Sequence, residues 1–170
     1  TRGRLTAEEA ARRVARIHVA QTLAALADCE IAVEAVFEDP KVKEQVFGGL
    51  DAVMRDDALL LSNTSTFDID TLAAVTRRPQ SVAGAHFFSP ANVMKQLEVV
   101  RGQRTSDAAL QSTIAFGRRL GKRCVVVRNC EGFLTSRSRT PLTTEAMILL
   151  EEGATPEQVD RVMVAFGYPM

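Results

Sequence analysis

Apolar and polar positions follow two different periods along most of this chain, and only one of them near its end. Thr6 and Glu9 form a capping-box pattern, and the helical spacing behind them predicts a helix to about Ala27. "EIAVEAV", Glu30 to Val36, has the apolar character of a strand. Asp39 then caps, and Pro40 opens, a helix running to about Met54. "ALLLS" (Ala58 to Ser62) reads as a short buried strand, "FDIDTLAAVT" as a short helix, and "SVAGAHFF" and "QLEVVR" as two further strands. Ser106 caps a helix that ends near Gly121, and "RCVVVR" is a last strand. From Gly132 the pattern is helical only. One helix spans about Phe133 to Glu151 and stops at Gly153; Thr155, Pro156 and Gln158 start another.

Strands alternating with helices predict an α/β sheet for residues 1–128. Residues 129–170 read as the start of an all-α unit. At about 40 residues it is too short to be stable alone, so it should continue or pack on something else. The absence of a leading strand or methionine before Thr6 and the stop just after a helix lead us to expect an internal piece of a longer protein.

Composition narrows the function classes. Of 170 residues, 46% are apolar and 25% charged, an ordinary globular balance. Lys plus Arg and Asp plus Glu number 21 each, which gives no basic footprint for nucleic acid. No apolar run reaches the roughly 18 residues of a membrane span, and no signal peptide is visible. Cys29, Cys124 and Cys130 are odd in number and widely spaced. They read as small buried or half-buried thiols in a reducing, cytoplasmic setting rather than as a disulfide framework or zinc site.

Two ionisable residues stand out in segments with buried-strand character. His86 is one of only two histidines, and Glu98 sits inside the apolar run "LEVV". A lone strand histidine is more often a satisfied structural residue than a catalyst. A buried glutamate, however, needs a partner, and His86, Lys95 and Arg101 are the candidates. A His–Glu pair would fix the imidazole tautomer and raise its affinity for a proton, as for an oriented general base. Ligands of open α/β sheets bind beyond the carboxyl ends of the strands. The first strand runs there into "FED", and the second into the hydroxyl- and amide-rich "SNTST", which a simple turn before a helix would also explain.

"EAVFED", "SNTST", "GAHFFSPANVMKQLEVVRG", "GK", "VVVRNCEGF" and "LLEEGATPEQVD" occur in the order and spacing of the 3-hydroxyacyl-CoA dehydrogenase family. The chain most resembles the dehydrogenase part of multifunctional fatty-acid β-oxidation proteins. The resemblance implies the second half of a Rossmann-type NAD-binding domain followed by the opening of a helical substrate and dimerisation domain. The family's glycine-rich turn for the pyrophosphate is not found in this sequence. His86 matches the family's catalytic histidine, and Glu98 the glutamate that orients it. Ser65 matches the serine that contacts substrate and nicotinamide, with Asn63 in the same loop. Glu38 and Lys43 match residues near the cofactor, and Ser89 a position beside the nicotinamide. NAD is the implied cofactor, acyl-CoA the substrate, and a homodimer or a multifunctional protein the assembly.

The sequence departs from the family after "GF". Ser136 stands where the family carries a substrate-contacting asparagine, Ser138 and Arg139 where apolar residues pack, and Glu131 where proline is common. These changes leave open a second reading, a non-catalytic relative reused as a binding or structural module, as in eye-lens crystallins of this family. A third reading, a β-hydroxyacid dehydrogenase with a lysine base, lacks its glycine-rich and lysine motifs here.

Overall fold

The computed structural model describes residues 5–168. It contains α1 (Ala7–Val14), β1 (Ile31–Glu34), α2 (Pro40–Val53), β2 (Leu59–Ser62), α3 (Ile69–Ala74), β3 (Val82–Phe87), β4 (Gln96–Arg101), α4 (Asp107–Arg119), β5 (Arg123–Arg128), α5 (Thr135–Glu151) and α6 (Pro156–Phe166). The strands form one five-stranded sheet in the order β1-β2-β3-β4-β5. β1, β2 and β3 are mutually parallel, β4 is antiparallel to β3, and β5 is parallel to β4. This is the α/β class expected from the alternating periods.

Strand periodicity divides the core into two layers. Leu60, Val82 and Val100 point to one face and pack with Phe47, Leu50 and Met54 of the α2 region, Ile69 and Leu72 of α3, and Phe133. Leu59, Leu61, Ala83, Ala85, Leu97 and Val99 point to the other face, against Ala109 and Leu110 of α4. A period of two then puts Glu34, Ser62, His86 and Glu98 on the first face. Register brings Glu34 opposite Ser62, and His86 opposite Glu98.

The helix starts follow their caps. The Asp39 side chain accepts from the Val42 N–H, Ser106 from Ala109, and Thr155 and Gln158 complete a reciprocal capping box. Gly153 and Gly167 adopt positive φ at the ends of α5 and α6, where a side chain would be strained.

The first helix is shorter than expected. Thr6 does accept from the Glu9 N–H at 3.1 Å, but α1 ends at Val14 rather than near Ala27. None of its eight residues is buried, and Ile17 and Val19 beyond it are β-branched and exposed. Without a packed face, a short helix with poor formers at its end does not propagate. Leu23–Leu26 instead form a 3₁₀ turn, from which Leu23 and Leu26 reach the first core layer. Cys29 and Cys124 are half-buried, but Cys130 is exposed, contrary to expectation, because it lies in the loop leaving β5. Among the described residues no helix is long and apolar enough to cross a membrane.

Candidate active site

The polar groups collect where β1, β2 and β3 end and β4 begins. Antiparallel pairing of β3 with β4 sets His86 beside Glu98, with Nδ1 2.7 Å from Oε2. Both side chains are largely buried, 11% and 4% exposed. The imidazole stacks at a tilt on Phe88 with 4.7 Å between ring centroids, and Phe133 lies 6.1 Å away. Of the other partners considered for Glu98, Arg101 pairs with Asp107 instead, at 2.7 Å, and Lys95 is exposed.

Glu98 Oε1 accepts from the Thr135 N–H at 2.8 Å and from the Thr135 hydroxyl at 2.9 Å. Both carboxylate oxygens are thus bonded, one to the sheet and one to the start of α5. Sequence reasoning missed Thr135, since nothing local marks a contact across 37 positions.

A second cluster lies at the ends of β1 and β2. Lys43 is 1% exposed, and its ammonium sits 2.9 Å from Glu34 Oε1 and 3.0 Å from Glu38 Oε2. The Ser62 hydroxyl donates to Glu34 Oε2 at 2.7 Å, and the Val36 N–H donates to Glu34 Oε1 at 2.6 Å. The Thr64 hydroxyl donates to Glu38. Burial raises the Glu38 carboxyl, but hydrogen bonds from Thr64 and Lys43 and the Lys43 charge outweigh it and hold it below the ordinary glutamate value. Lys43 therefore does not present its charge to solvent; it braces Glu38, which is exposed at the rim. Glu34, Ser62 and Thr64 were missed. Glu34 carried the same signal as Glu98, a carboxylate inside an apolar strand.

The other expected residues fall around these two clusters. Asn63 Oδ1 accepts from the Phe87 N–H at 2.8 Å, tying the β2 loop to the strand end beside His86. Ser65 follows in that loop and is half-buried; its N–H is among the groups favouring ionised Glu38. Ser89 is exposed and precedes a cis proline, Pro90, in the loop from β3 to β4. Lys122 pins this loop through the carbonyls of Ala91 and Met94, the latter at 2.6 Å. Ser136 is half-buried one residue beyond Thr135, in a groove of about 380 Å³ with Arg139, Thr140, Thr143, Thr144 and Met147. Ser138, Arg139 and Glu131, which stand at positions of departure from the family pattern, are exposed and bury no charge here.

A dinucleotide lies along the carboxyl ends of parallel strands in this class of sheet. The accessible groups found there are a rim carboxylate, Glu38, the Asn63 amide and the Ser65 hydroxyl, all ahead of an oriented imidazole. Their chemistry suits the ribose and carboxamide of a nicotinamide nucleotide, which offer hydrogen-bond donors and acceptors.

Known proteins are similar to this chain in sequence and in fold. The sequence model of the 3-hydroxyacyl-CoA dehydrogenase NAD-binding domain matches residues 1–130, and that of the family's C-terminal domain matches residues 132–170. The zebrafish (Danio rerio) peroxisomal bifunctional enzyme is 52% identical over 145 residues, 85% of this chain and 20% of that protein. The fatty acid oxidation complex subunit alpha of Pseudomonas putida is 39% identical over 169 residues, 99% of this chain and 24% of that protein. The chain thus spans about a fifth to a quarter of these curated relatives. The crystal structure of (S)-3-hydroxybutyryl-CoA dehydrogenase from Ralstonia eutropha superposes with a TM-score of 0.91 at 34% identity, covering 97% of this chain and 59% of that one. With both domain models matched end to end along its sequence, the chain belongs to the 3-hydroxyacyl-CoA dehydrogenase family.

Proposed function

We propose that the complete protein oxidises L-3-hydroxyacyl-CoA to 3-ketoacyl-CoA with NAD, within a multifunctional β-oxidation protein like the relatives it resembles. The observation that carries this reading is the 2.7 Å contact between His86 Nδ1 and Glu98. With the Nδ1 proton held by the carboxylate, the imidazole presents Nε2 as an acceptor. Nε2 takes the proton of the 3-hydroxyl as the carbon–oxygen bond becomes a carbonyl, and Glu98 stabilises the imidazolium that forms. The hydride that leaves the hydroxyl-bearing carbon needs an acceptor, which NAD would supply when bound. Glu38, braced by Lys43, would hold the cofactor's ribose, and Asn63, Ser65 and Ser89 would line its nicotinamide end. Ser65 and Ser136 contact the substrate. In this reading residues 1–128 form part of the NAD-binding unit, and 129–170 open the helical unit that completes the acyl-CoA site.

The test follows NADH formation by the complete protein on 3-hydroxyacyl-CoA of several chain lengths. Wild-type turnover is expected, with kcat lowered roughly 10²–10⁴-fold in His86→Ala, the usual share of a general base. Wild-type-like turnover by His86→Ala would remove the base assignment, and no turnover by the wild type would remove the activity itself.

A further inference from the structure

Thr135 occupies a position that serves two elements at once. It is the first residue of α5, and the residue before it, Leu134, provides no side-chain cap. The first N–H groups of a helix have no partner within it, and partial positive charge gathers there. Glu98, from the sheet, fills the vacancy: one carboxylate oxygen takes both the Thr135 N–H, at 2.8 Å, and the Thr135 hydroxyl, at 2.9 Å. The chain reaches this point through Gly132 and Phe133, both at positive φ, 70° and 46°. That conformation is costly for phenylalanine. It is held by burial, with Phe133 1% exposed in the core layer beneath the His86 face.

We infer that Thr135 is a positioning residue for the His86–Glu98 pair, an inference that rests on the proposed role of that pair as the base. A carboxylate bonded through one oxygen only can swing about its last torsion. Two donors on Oε1 fix its plane, so that Oε2 stays on His86 Nδ1. With Oε2 held on Nδ1, the imidazole proton stays on that nitrogen and Nε2 is left free to accept. The N–H is present whatever the side chain, so the hydroxyl is the part that this residue adds.

Thr135→Val preserves the shape and removes the hydroxyl, and Thr135→Ser retains it. In the complete protein assayed with NAD and 3-hydroxybutyryl-CoA, Thr135→Val is expected to lower kcat roughly 3- to 10-fold, a fraction of what a hydrogen bond to a charged group is worth. KM should change less than about 2-fold, as for a contact that matters in the transition state. Thr135→Ser should stay close to wild type. By proton NMR, the downfield Nδ1–H resonance of His86, assigned by its loss in His86→Gln, should move in Thr135→Val and stay in place in Thr135→Ser. Equal loss of kcat in both variants, loss in neither, or an unmoved resonance in Thr135→Val overturns the assignment. If the wild type oxidises no 3-hydroxyacyl-CoA, the proposed function falls, and the resonance comparison alone decides whether Thr135 orders the pair.

Discussion

At the scale of single residues, the spacing of β3 and β4 is set by the absence of a side chain. Gly84 pairs with Val100. A Cβ at Gly84 would lie 2.6 Å from Val100 Cβ and 2.8 Å from its Cγ2, too close for either strand to keep its place. His86 is two residues further along the same face, so the gap that Gly84 permits also sets the reach between His86 and Glu98. Gly84→Ala should therefore destabilise the protein by about 1–3 kcal/mol, the usual cost of overpacking. Urea unfolding checks this as a lower midpoint with an unchanged slope. Identical midpoints would mean that the sheet absorbs the methyl without strain.

At the scale of elements, the end of α2 is fastened to the turn before β3 by ionic contacts. Arg78 is 5% exposed, and it donates to the carbonyls of Asp51 at 3.0 Å, Met54 at 3.1 Å and Arg55. It thereby satisfies the open carbonyls of a helix end. Its Nε lies 3.0 Å from Asp51 Oδ1, without hydrogen-bond geometry. Asp51 Oδ2 accepts from the Arg77 N–H at 3.0 Å and from the Arg77 Nε at 2.9 Å. Burial pushes the Asp51 carboxyl up, but the Arg77 hydrogen bonds and the Arg78 charge outweigh it and hold it below the ordinary aspartate value. A carboxyl depressed in the folded state binds protons more readily when unfolded. Its contribution is therefore complete above the unfolded value of about 3.9 and is lost as pH falls from there through the lower folded value. Asp51→Asn should cost about 3–5 kcal/mol near neutral pH, since it leaves the buried Arg78 without its anion. Urea unfolding of wild type and variant between pH 7 and acid should show that difference shrinking below about pH 4. A gap independent of pH would mean that the Asp51 charge is not what holds the turn.

At the scale of the whole molecule, burial is unevenly shared. β2, β3 and the middle of β4 carry both core layers, whereas neither α5 nor α6 has a buried residue among those described. Local opening free energy follows buried contacts. In the 170-residue chain, amides of β2 to β4 should exchange with deuterium only through global unfolding, while those of α6 exchange by local opening at far lower free energy. Hydrogen exchange with mass spectrometry would resolve this, and equal protection of α6 and β3 would contradict the burial pattern.

Much of this was legible before any fold was known, because the relevant rules are local. The Asp39, Ser106 and Thr155 caps lie within three residues of the groups they bond, and β4 and β5 begin and end where the short apolar runs with their polar ends do. His86 and Glu98 could be singled out because an ionisable group in an apolar strand needs a partner. Which partner was a tertiary matter: the antiparallel return of β4 against β3 chose His86 over Lys95 and Arg101. The same holds where the sequence misled. The helical spacing after Val14 ran on, but nothing packs there, and spacing alone does not pull a helix out of water. The resemblance set Lys43 near the cofactor, but only the fold shows Glu34 of β1 beside it and its side chain buried. The contact of Thr135 with Glu98 spans 37 positions and joins a helix start to a strand. Caps and periods are fixed by neighbours along the chain, whereas the pairing of buried charges is fixed by which strands lie side by side, and that the fold alone decides.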